Sequence, residues 1–200
     1  MKDFWNQRYS EKIYVYGTDA NAFFRDFIKR REPGCLLLPA EGEGRNAVFA
    51  ALNGWKVDAF DYSEKAAQKA LALARHNKVD INYRLARFED LDLDAEKYDL
   101  IALIYAHLHE DIRRSVHRKL VDYLKPGGTL FLEAFSKNQI HNDSGGPRNE
   151  AMLYDTEELA EDFSGLSIEL LEQRLVELDE GKYHRGTADV IRLIAHKPAA

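Results

Sequence analysis

The sequence predicts an α/β protein built on a doubly wound, mostly parallel sheet. Three observations predict it. Apolar strand-like runs alternate with amphipathic helical segments from residue 35 to residue 136. Two of those runs, "CLLLPAE" and "YDLIALIYA", are apolar almost throughout, as strands buried on both faces are. Two long strand-like runs close the chain around "DEGKYHRGT", which reads as an antiparallel hairpin and makes the sheet mixed.

The elements follow in order. Ala20 to Arg31 alternates apolar pairs with charge, as a surface helix does, and "REPGC" stops it. "CLLLPAE" is strand one. "RNAVFAALNGW" is a helix closed by Gly54, and "KVDAFDY" is strand two. Ser63 caps "EKAAQKALALARHN", where Ala66, Ala70 and Ala74 share one face. "INYRLAR" is strand three and "YDLIALIYA" strand four. "DIRRSVHRKLVDYL" is a helix, "KPGG" its stop and turn, and "TLFLEAF" strand five. Residues 136–154 read as a long loop, with a short helix near Thr156–Phe163. "SIELLEQRLVEL" and "ADVIRLIAHK" form the hairpin.

Composition narrows the function. The chain has 200 residues, 45% of them hydrophobic, enough for one domain with a sizeable core. A net charge of −6 argues against nucleic acid as a partner, since phosphate binding needs a basic face. The single cysteine, Cys35, excludes an internal disulfide, and no Cys/His cluster has zinc spacing, so no metal site is expected. "MKDFWNQRYSEK" has no signal-peptide core, and "LIALIYAHL" is too short to span a bilayer. The expectation is a soluble, cytoplasmic protein with no membrane partner, monomeric or homodimeric.

The stretch "LLLPAEGEGRNAVFAALNGWKVDAFDYS" carries the chemistry. Gly42 and Gly44 lack side chains, so backbone and ligand can approach closely after strand one. Open α/β sheets bind ligands at that end of their strands. Asp61 ends strand two, where a carboxylate can accept hydrogen bonds from ribose hydroxyls. Tyr62 is placed to lie beside an adenine. The same spacing, Gly42-x-Gly44-x-x-Ala47 with Asp61, also satisfies a dinucleotide fingerprint. The bland alternative is that both glycines only make a turn and Asp61 only caps the next helix.

The "KPGG" turn, the closing hairpin and the lack of a second nucleotide-binding half separate these readings. With "FWNQRYSEKIYVYGTDANAFF", "EGEGRNAVFAA", "DAFDYSEKA", "SGGP" and "GKYHRGTADVIRLIAHKP", they make the chain resemble the class I S-adenosylmethionine-dependent methyltransferases. The likeness is greatest to the tellurite-resistance-type and thiopurine-type small-molecule branch and covers nearly the whole chain. It implies a Rossmann-like three-layer sandwich whose seven-stranded sheet has an antiparallel last strand. It implies one methyltransferase domain over 1–200, with an N-terminal cap and helix at 1–31, a cofactor core at 35–136, and a substrate-side loop and hairpin at 137–200.

Two positions depart from the family pattern. Its acidic residue before the turn is replaced by Leu38, and its first glycine by Ala40; Glu41 is the substitute acid for the methionine ammonium. The Asp that reads the adenine amine is replaced by Arg87, leaving that role to Phe88 backbone groups or Glu89. The candidate cofactor contacts are thus Arg8, Tyr16, Ala40, Glu41, Gly42, Gly44, Asn46, Asp61, Tyr62, Arg87, Phe88, Glu89 and Tyr105. Arg8 is a candidate for the cofactor carboxylate, and Trp5, Tyr9, Tyr14 and Tyr16 for a lid or a cover of the sheet edge.

Three residues are candidates on the acceptor side. His107 follows strand four and is either a base that orients the nucleophile or a histidine bonded to a backbone carbonyl. His184 and Arg185 fall in the hairpin turn, at an exposed position, and match a His-Arg pair that lies by the substrate in the tellurite-resistance-type enzymes. Arg suits an oxyanion; the alternative is a solvated turn. His109, His117 and His141 read as surface residues. "NDSGGPRN" is a lid hinged at Gly145 and Gly146 or an ordinary surface loop. The resulting expectation is a methyltransferase acting on a small molecule, with a sulfur, selenium or tellurium nucleophile as candidate acceptor. An NAD-dependent reductase and a non-catalytic S-adenosylmethionine-binding regulator are the rivals.

Overall fold

In a computed structural model, which describes residues 2–199, the strands form a seven-stranded sheet in the order β3-β2-β1-β4-β5-β7-β6. The chain divides into two compact units. One runs up to Leu91 and includes Glu180–Tyr183; the other takes Asp92–Asp179 and the residues from His184 onward.

In the first unit β1 (Cys35–Pro39), β2 (Lys56–Asp61) and β3 (Asn82–Leu85) are parallel, with Pro39 opposite Phe60 and Asp61 opposite Leu85. Leu36, Leu37 and Leu38 are fully buried, the outcome expected of an unbroken apolar run. The helices are α1 (Lys2–Tyr9), α2 (Ala22–Ile28), α3 (Arg45–Leu52) and α4 (Glu64–His76). Ser63 caps α4 by accepting the Ala66 N–H, and Ala66, Ala70 and Ala74 are its buried stripe. The helix expected from Ala20 to Arg31 is shorter. Asn21 caps it by accepting the Phe24 N–H at 2.9 Å, so it starts at Ala22.

In the second unit β4 (Tyr98–Ile104) runs parallel to β5 (Leu124–Phe135). The helix α5 (Glu110–Tyr123) joins them. "KPGG" lies inside the bounds of β5 rather than before it: the Gly127 N–H donates to the Lys197 carbonyl and the Lys197 N–H to Gly128, so the turn itself is tied to the end of the last strand. Residues 136–154, expected as loop, contain two 3-10 turns, Lys137–His141 and Glu150–Met152. They are followed by α6 (Thr156–Asp162), which starts with a reciprocal capping box between Asp155 and Glu158. The expected hairpin is present. β6 (Ser167–Asp179) and β7 (Arg185–His196) pair antiparallel from Ser167–His196 to Asp179–Arg185, and β7 is antiparallel to β5.

The second unit also corrects the reading of His117. His117 is not a surface residue: it is fully buried, its Nδ1 lies 2.9 Å from Asp162, and its ring stacks on Phe163. Arg113 donates to the same Asp162 oxygen at 2.7 Å. Burial keeps the imidazole below its usual pKa, against the pull of Asp162. The charged neighbours in "DIRRSVHRKL" hid this, although α5 turns His117 onto the same face as Arg113, Val116 and Leu120. His109 is the N-cap of α5, and His141 is exposed at the end of a 3-10 turn.

Candidate functional site

The first unit gathers the cofactor candidates at the ends of β1 and β2. Ala40 leaves β1 with φ 51°, a left-handed backbone that a glycine adopts without strain. The Glu41 N–H donates to the Phe60 carbonyl at 3.1 Å, which pins the turn to β2. Asp61 closes the turn from the other side. Its Oδ2 accepts the Gly42 N–H at 3.2 Å and its Oδ1 the Ser63 N–H at 2.8 Å. Burial raises this carboxyl from 3.8 to about 6, with backbone donors of Ser63, Gly42 and Tyr62 acting against it. A carboxylate has about four lone-pair sites, so these backbone donors leave Asp61 able to accept more.

Glu41 sits at the N-terminus of α3. Its Oε1 accepts the N–H groups of Asn46 and Ala47, both at 2.8 Å, and its Oε2 the Asn46 side-chain amide at 3.2 Å. Gly44, the N-cap, has no side chain to do this, so Glu41 supplies the missing cap from three residues upstream. Burial lifts its pKa to about 7. Asn46 faces the other way as well, accepting the Asn21 N–H at 2.9 Å.

Close approach at the two glycines turns out to be between parts of the protein. A Cβ on Gly44, at φ 86°, would lie 2.6 Å from the Ala70 Cβ and 2.8 Å from its Cα. A Cβ on Gly42, at φ 62°, would lie 2.7 Å from the Tyr9 hydroxyl. Gly44 therefore lets α3 pack on α4, and Gly42 admits the ring of α1.

The N-terminal aromatics form one cluster. Trp5 stacks on Tyr9 at 5.4 Å, and Tyr9 meets Tyr16 edge-on at 6.3 Å. Arg8 donates to the Tyr16 hydroxyl at 2.9 Å, with its guanidinium 4.3 Å from the Tyr183 ring. Two charged residues of the Gly turn, which the sequence did not single out, hold this segment. Glu43 accepts the Val15 N–H at 2.8 Å and pairs with Lys69 at 2.6 Å. Arg45 reaches the carbonyls of Tyr16 and Asp19 and pairs with Glu180 at 2.8 Å. The signal for them was the alternation in "EGEGR", where every second residue is charged and lies next to a glycine.

Tyr62 is half-buried, and burial raises its phenol well above the usual value. Phe88 packs edge-on to Phe60 at 5.2 Å. Arg87 and Glu89 are largely exposed and lie 3.7 Å apart. A cavity of about 630 Å³ in the same unit is lined by Tyr14, Asp19, Arg25, Phe49, Leu52 and His76 and by none of the cofactor candidates.

The second unit gathers Tyr105, His107 and His184. Tyr105 follows β4 with φ 51° and donates its hydroxyl to Glu133 at 3.0 Å. Glu133 is buried and pairs with Arg192 at 2.6 Å. The Tyr105 ring stacks on Phe135 at 4.6 Å, and His184 stands edge-on to both. His107 uses both ring nitrogens on backbone: Nδ1 lies 2.7 Å from the Met152 carbonyl, and Nε2 accepts the Phe135 N–H at 3.3 Å. That pattern fixes the tautomer with the proton on Nδ1. Burial lowers the pKa to about 4, so the ring is neutral at pH 7. This is the carbonyl-bonded arrangement left open by the sequence.

His184 and Arg185, neighbours in sequence, differ in setting. His184 is 6% exposed, not the exposed turn residue expected, because the turn folds it back against Tyr105 and Phe135. The Arg185 side chain is 78% exposed and lies 3.7 Å from Asp179. The "NDSGGPRN" loop is anchored on β7, with the buried Ser144 hydroxyl donating to the Thr187 carbonyl at 2.7 Å.

Comparison with known proteins adds three findings. Residues 38–128 match a family model described as a methyltransferase domain. The chain is 29% identical over 98 residues to a ubiquinone biosynthesis O-methyltransferase of Rickettsia conorii, covering 49% of this chain and 34% of that protein. A Coxiella burnetii protein of the same name is 28% identical over 97 residues, 48% of this chain and 42% of its own. The chain therefore spans less than half the length of these relatives. Among solved structures, the fold is similar to one from work on conversion of a disulfide bond into a thioacetal group during echinomycin biosynthesis. That likeness has TM-score 0.82 and 16% identity over 99% of this chain and 92% of that one. TehB from Haemophilus influenzae gives TM-score 0.73 and 18% identity over 98% and 66%. An S-adenosylmethionine-dependent methyltransferase from Methanosarcina mazei gives 0.72 and 16% over 91% and 100%. Among the described residues no helix is long and apolar enough to cross a membrane.

Proposed function

We propose that this chain, whose residues 38–128 match a methyltransferase-domain model, uses S-adenosylmethionine to methylate a small molecule. The observation that carries the reading is Asp61. A buried carboxyl at the end of β2, raised to about 6 and already oriented by the Gly42 N–H, is a poor arrangement for stability alone. It suits two hydroxyl donors arriving together, as on a ribose. The residues present thus fit the cofactor. The bound cofactor would supply an electrophilic methyl group on a sulfonium.

In this reading Asp61 receives the ribose hydroxyls. Tyr62 and Phe88 provide apolar walls for adenine, with Glu89 or the Phe88 backbone reading its amine beside Arg87. The turn from Ala40 to Gly44 offers backbone groups to the methionine end, with Glu41 and Asn46 behind it and Arg8 for its carboxylate. Arg8 and Tyr16 belong to a cap that excludes water, which methyl transfer by in-line displacement needs more than it needs acid–base chemistry. Tyr105 serves the cofactor, and His184 with Arg185 the acceptor. His107, with both nitrogens on backbone, holds Met152 and Phe135 in place rather than taking a proton.

For the acceptor we favour a soft nucleophile of sulfur, selenium or tellurium, on the resemblance of the whole chain. A hydroxyl acceptor is the second reading, favoured by the O-methyltransferase names of the relatives. The whole chain, 1–200, acts as one catalytic domain in this scheme. Calorimetry with S-adenosylmethionine, S-adenosylhomocysteine and NAD tests the cofactor. Binding of NAD without S-adenosylhomocysteine would overturn the reading in favour of a reductase. Methyl transfer to a panel of thiols, selenols, tellurite and phenols then decides the acceptor. Tight cofactor binding with no turnover on any of them would favour a regulator.

A further inference from the structure

β6 is the outer strand of the sheet, with β7 on one side and, among the described residues, no strand on the other. It is 13 residues long, more than twice the usual strand length. An outer strand of that length presents a row of unpaired N–H and C=O groups, which most proteins shorten or cover. Here it is neither short nor covered by a strand. Leu175, 64% exposed, is the most exposed large hydrophobic side chain among the described residues.

The order of side chains decides what fits this edge. Around Gln173 the sequence reads Leu170, Leu171, Glu172, Gln173, Arg174, Leu175, Val176. It is complementary to itself when reversed. An antiparallel copy centred on Gln173 sets Glu172 opposite Arg174, Leu171 opposite Leu175, and Leu170 opposite Val176. Cross-strand pairs of opposite charge and of apolar residues are the units that stabilise a sheet. A shift of one residue sets charge against leucine. A shift of two sets Glu172 against Glu172 or Arg174 against Arg174. One register alone satisfies every pair.

Neighbouring features confine the match to this stretch. The pairing with β7 shifts register between Ile168 and Leu170, so the strand is irregular just before Leu170. Beyond the match, Glu169 and Glu177 would face each other. Each already has a partner in its own chain: Glu169 has His196 at 2.6 Å and Glu177 has the Thr187 hydroxyl. Glu172 and Arg174 pair within the strand at 3.0 Å while about half exposed, so they can exchange partners without a buried charge being stripped.

We propose that β6 is the interface of a homodimer, in which two copies pair antiparallel through residues 170–176 about a two-fold axis at Gln173. The contact is isologous, so it closes and does not propagate into fibres. It covers Leu175 with Leu171 of the second copy.

Sedimentation over a wide range of protein concentration tests this. The wild type should show a reversible monomer–dimer equilibrium. Arg174→Glu sets like charges together twice across the axis and should weaken the dimer roughly tenfold or more. Glu172→Arg should do the same. The double variant, Glu172→Arg with Arg174→Glu, restores both pairs in reversed sense and should regain wild-type affinity. Leu175→Lys should also weaken it. All of these positions lie on an outer strand, and circular dichroism would confirm that each variant is folded. A wild type that stays monomeric throughout overturns the proposal. So does a dimer that Arg174→Glu leaves unchanged, or one that the double variant fails to restore. None of these outcomes depends on the chain being a methyltransferase.

Discussion

Replacing Gly44 with alanine separates the two reasons a glycine could stand in the turn. If the residue is glycine to admit a ligand, the variant folds normally and binds poorly. The structure gives a different reason. The new Cβ would sit 2.6 Å from the Ala70 Cβ and 2.8 Å from the Ala70 Cα, a backbone atom in the middle of α4. Overpacking of that kind costs typically about 1–3 kcal/mol. The residue also has φ 86°, which adds roughly 1–2 kcal/mol for any side chain with a Cβ. The sum, about 2–5 kcal/mol, is a large share of the roughly 5–15 kcal/mol that holds a typical domain. It should lower the melting temperature by on the order of 5–20 °C. The assay is thermal unfolding of the unliganded protein. Adding Ala70→Gly removes the clash with the methyl group but leaves the overlap with the α4 backbone and the strain at residue 44, and it costs about 1 kcal/mol of helix propensity. The double variant should therefore be less destabilised than the sum of its parts, without reaching wild type. Unchanged melting of Gly44→Ala would refute the packing argument and return the glycine to the ligand.

Three further outcomes follow from the carboxyls and histidines. Asp61→Asn should weaken S-adenosylhomocysteine binding about ten- to a hundredfold, the usual loss for a charged hydrogen-bond partner, by calorimetry; unchanged affinity would end the ribose assignment. Asp61 and Glu41 are raised on folding, to about 6 and about 7, so the folded state holds extra protons between the unfolded and folded values. The stability they contribute is present below pH 4 or so, near their ordinary values, and is lost as pH rises through about 6 and 7. Urea titrations of the unliganded protein from acid to neutral pH should show that fall, and Asp61→Asn should remove the lower part of it. His184→Ala should lower the melting temperature, because it empties a buried position against Tyr105 and Phe135, whereas Arg185→Ala should leave it unchanged and alter only turnover once an acceptor is known.

The strands were legible because their physics is local. "CLLLP" and "YDLIALI" are buried on both faces, so no alternation was needed to recognise them. The hairpin was legible because two long runs flanked a short polar turn. What the sequence hid depends on contacts between distant residues. "KPGG" looks like punctuation, and only the pairing of Gly127 and Gly128 with Lys197 draws it into β5. His117 sits among charged residues in "DIRRSVHRKL", and only the helical phase, with Asp162 arriving from α6, reveals a buried histidine. His184 has a polar sequence neighbourhood and an aromatic spatial one.

The turn shows how a departure from a pattern keeps the geometry the pattern encodes. Ala40 stands where the resemblance expects glycine, yet its backbone has φ 51°, the conformation a glycine would take. The site thus carries a strain of roughly 1–2 kcal/mol that a glycine would relieve. Tyr105 carries the same left-handed strain at the end of β4, with its hydroxyl held by Glu133 and Glu133 in turn by Arg192. Strained residues survive where the surroundings over-determine them, and here both lie at the carboxyl ends of strands. Neither is visible as strain in the sequence, because alanine and tyrosine are ordinary residues; only the backbone angle marks them. Glu41 follows the same logic. Its carboxyl replaces the cap that Gly44 lacks, so the acid that the resemblance assigns to a ligand is also the acid that starts α3. A substitution at Glu41 would therefore act on the helix and on the ligand together. Asp61 accepts backbone amides of Gly42 and Ser63 and caps no helix itself, so it is the carboxyl at which binding can be read more nearly apart from folding.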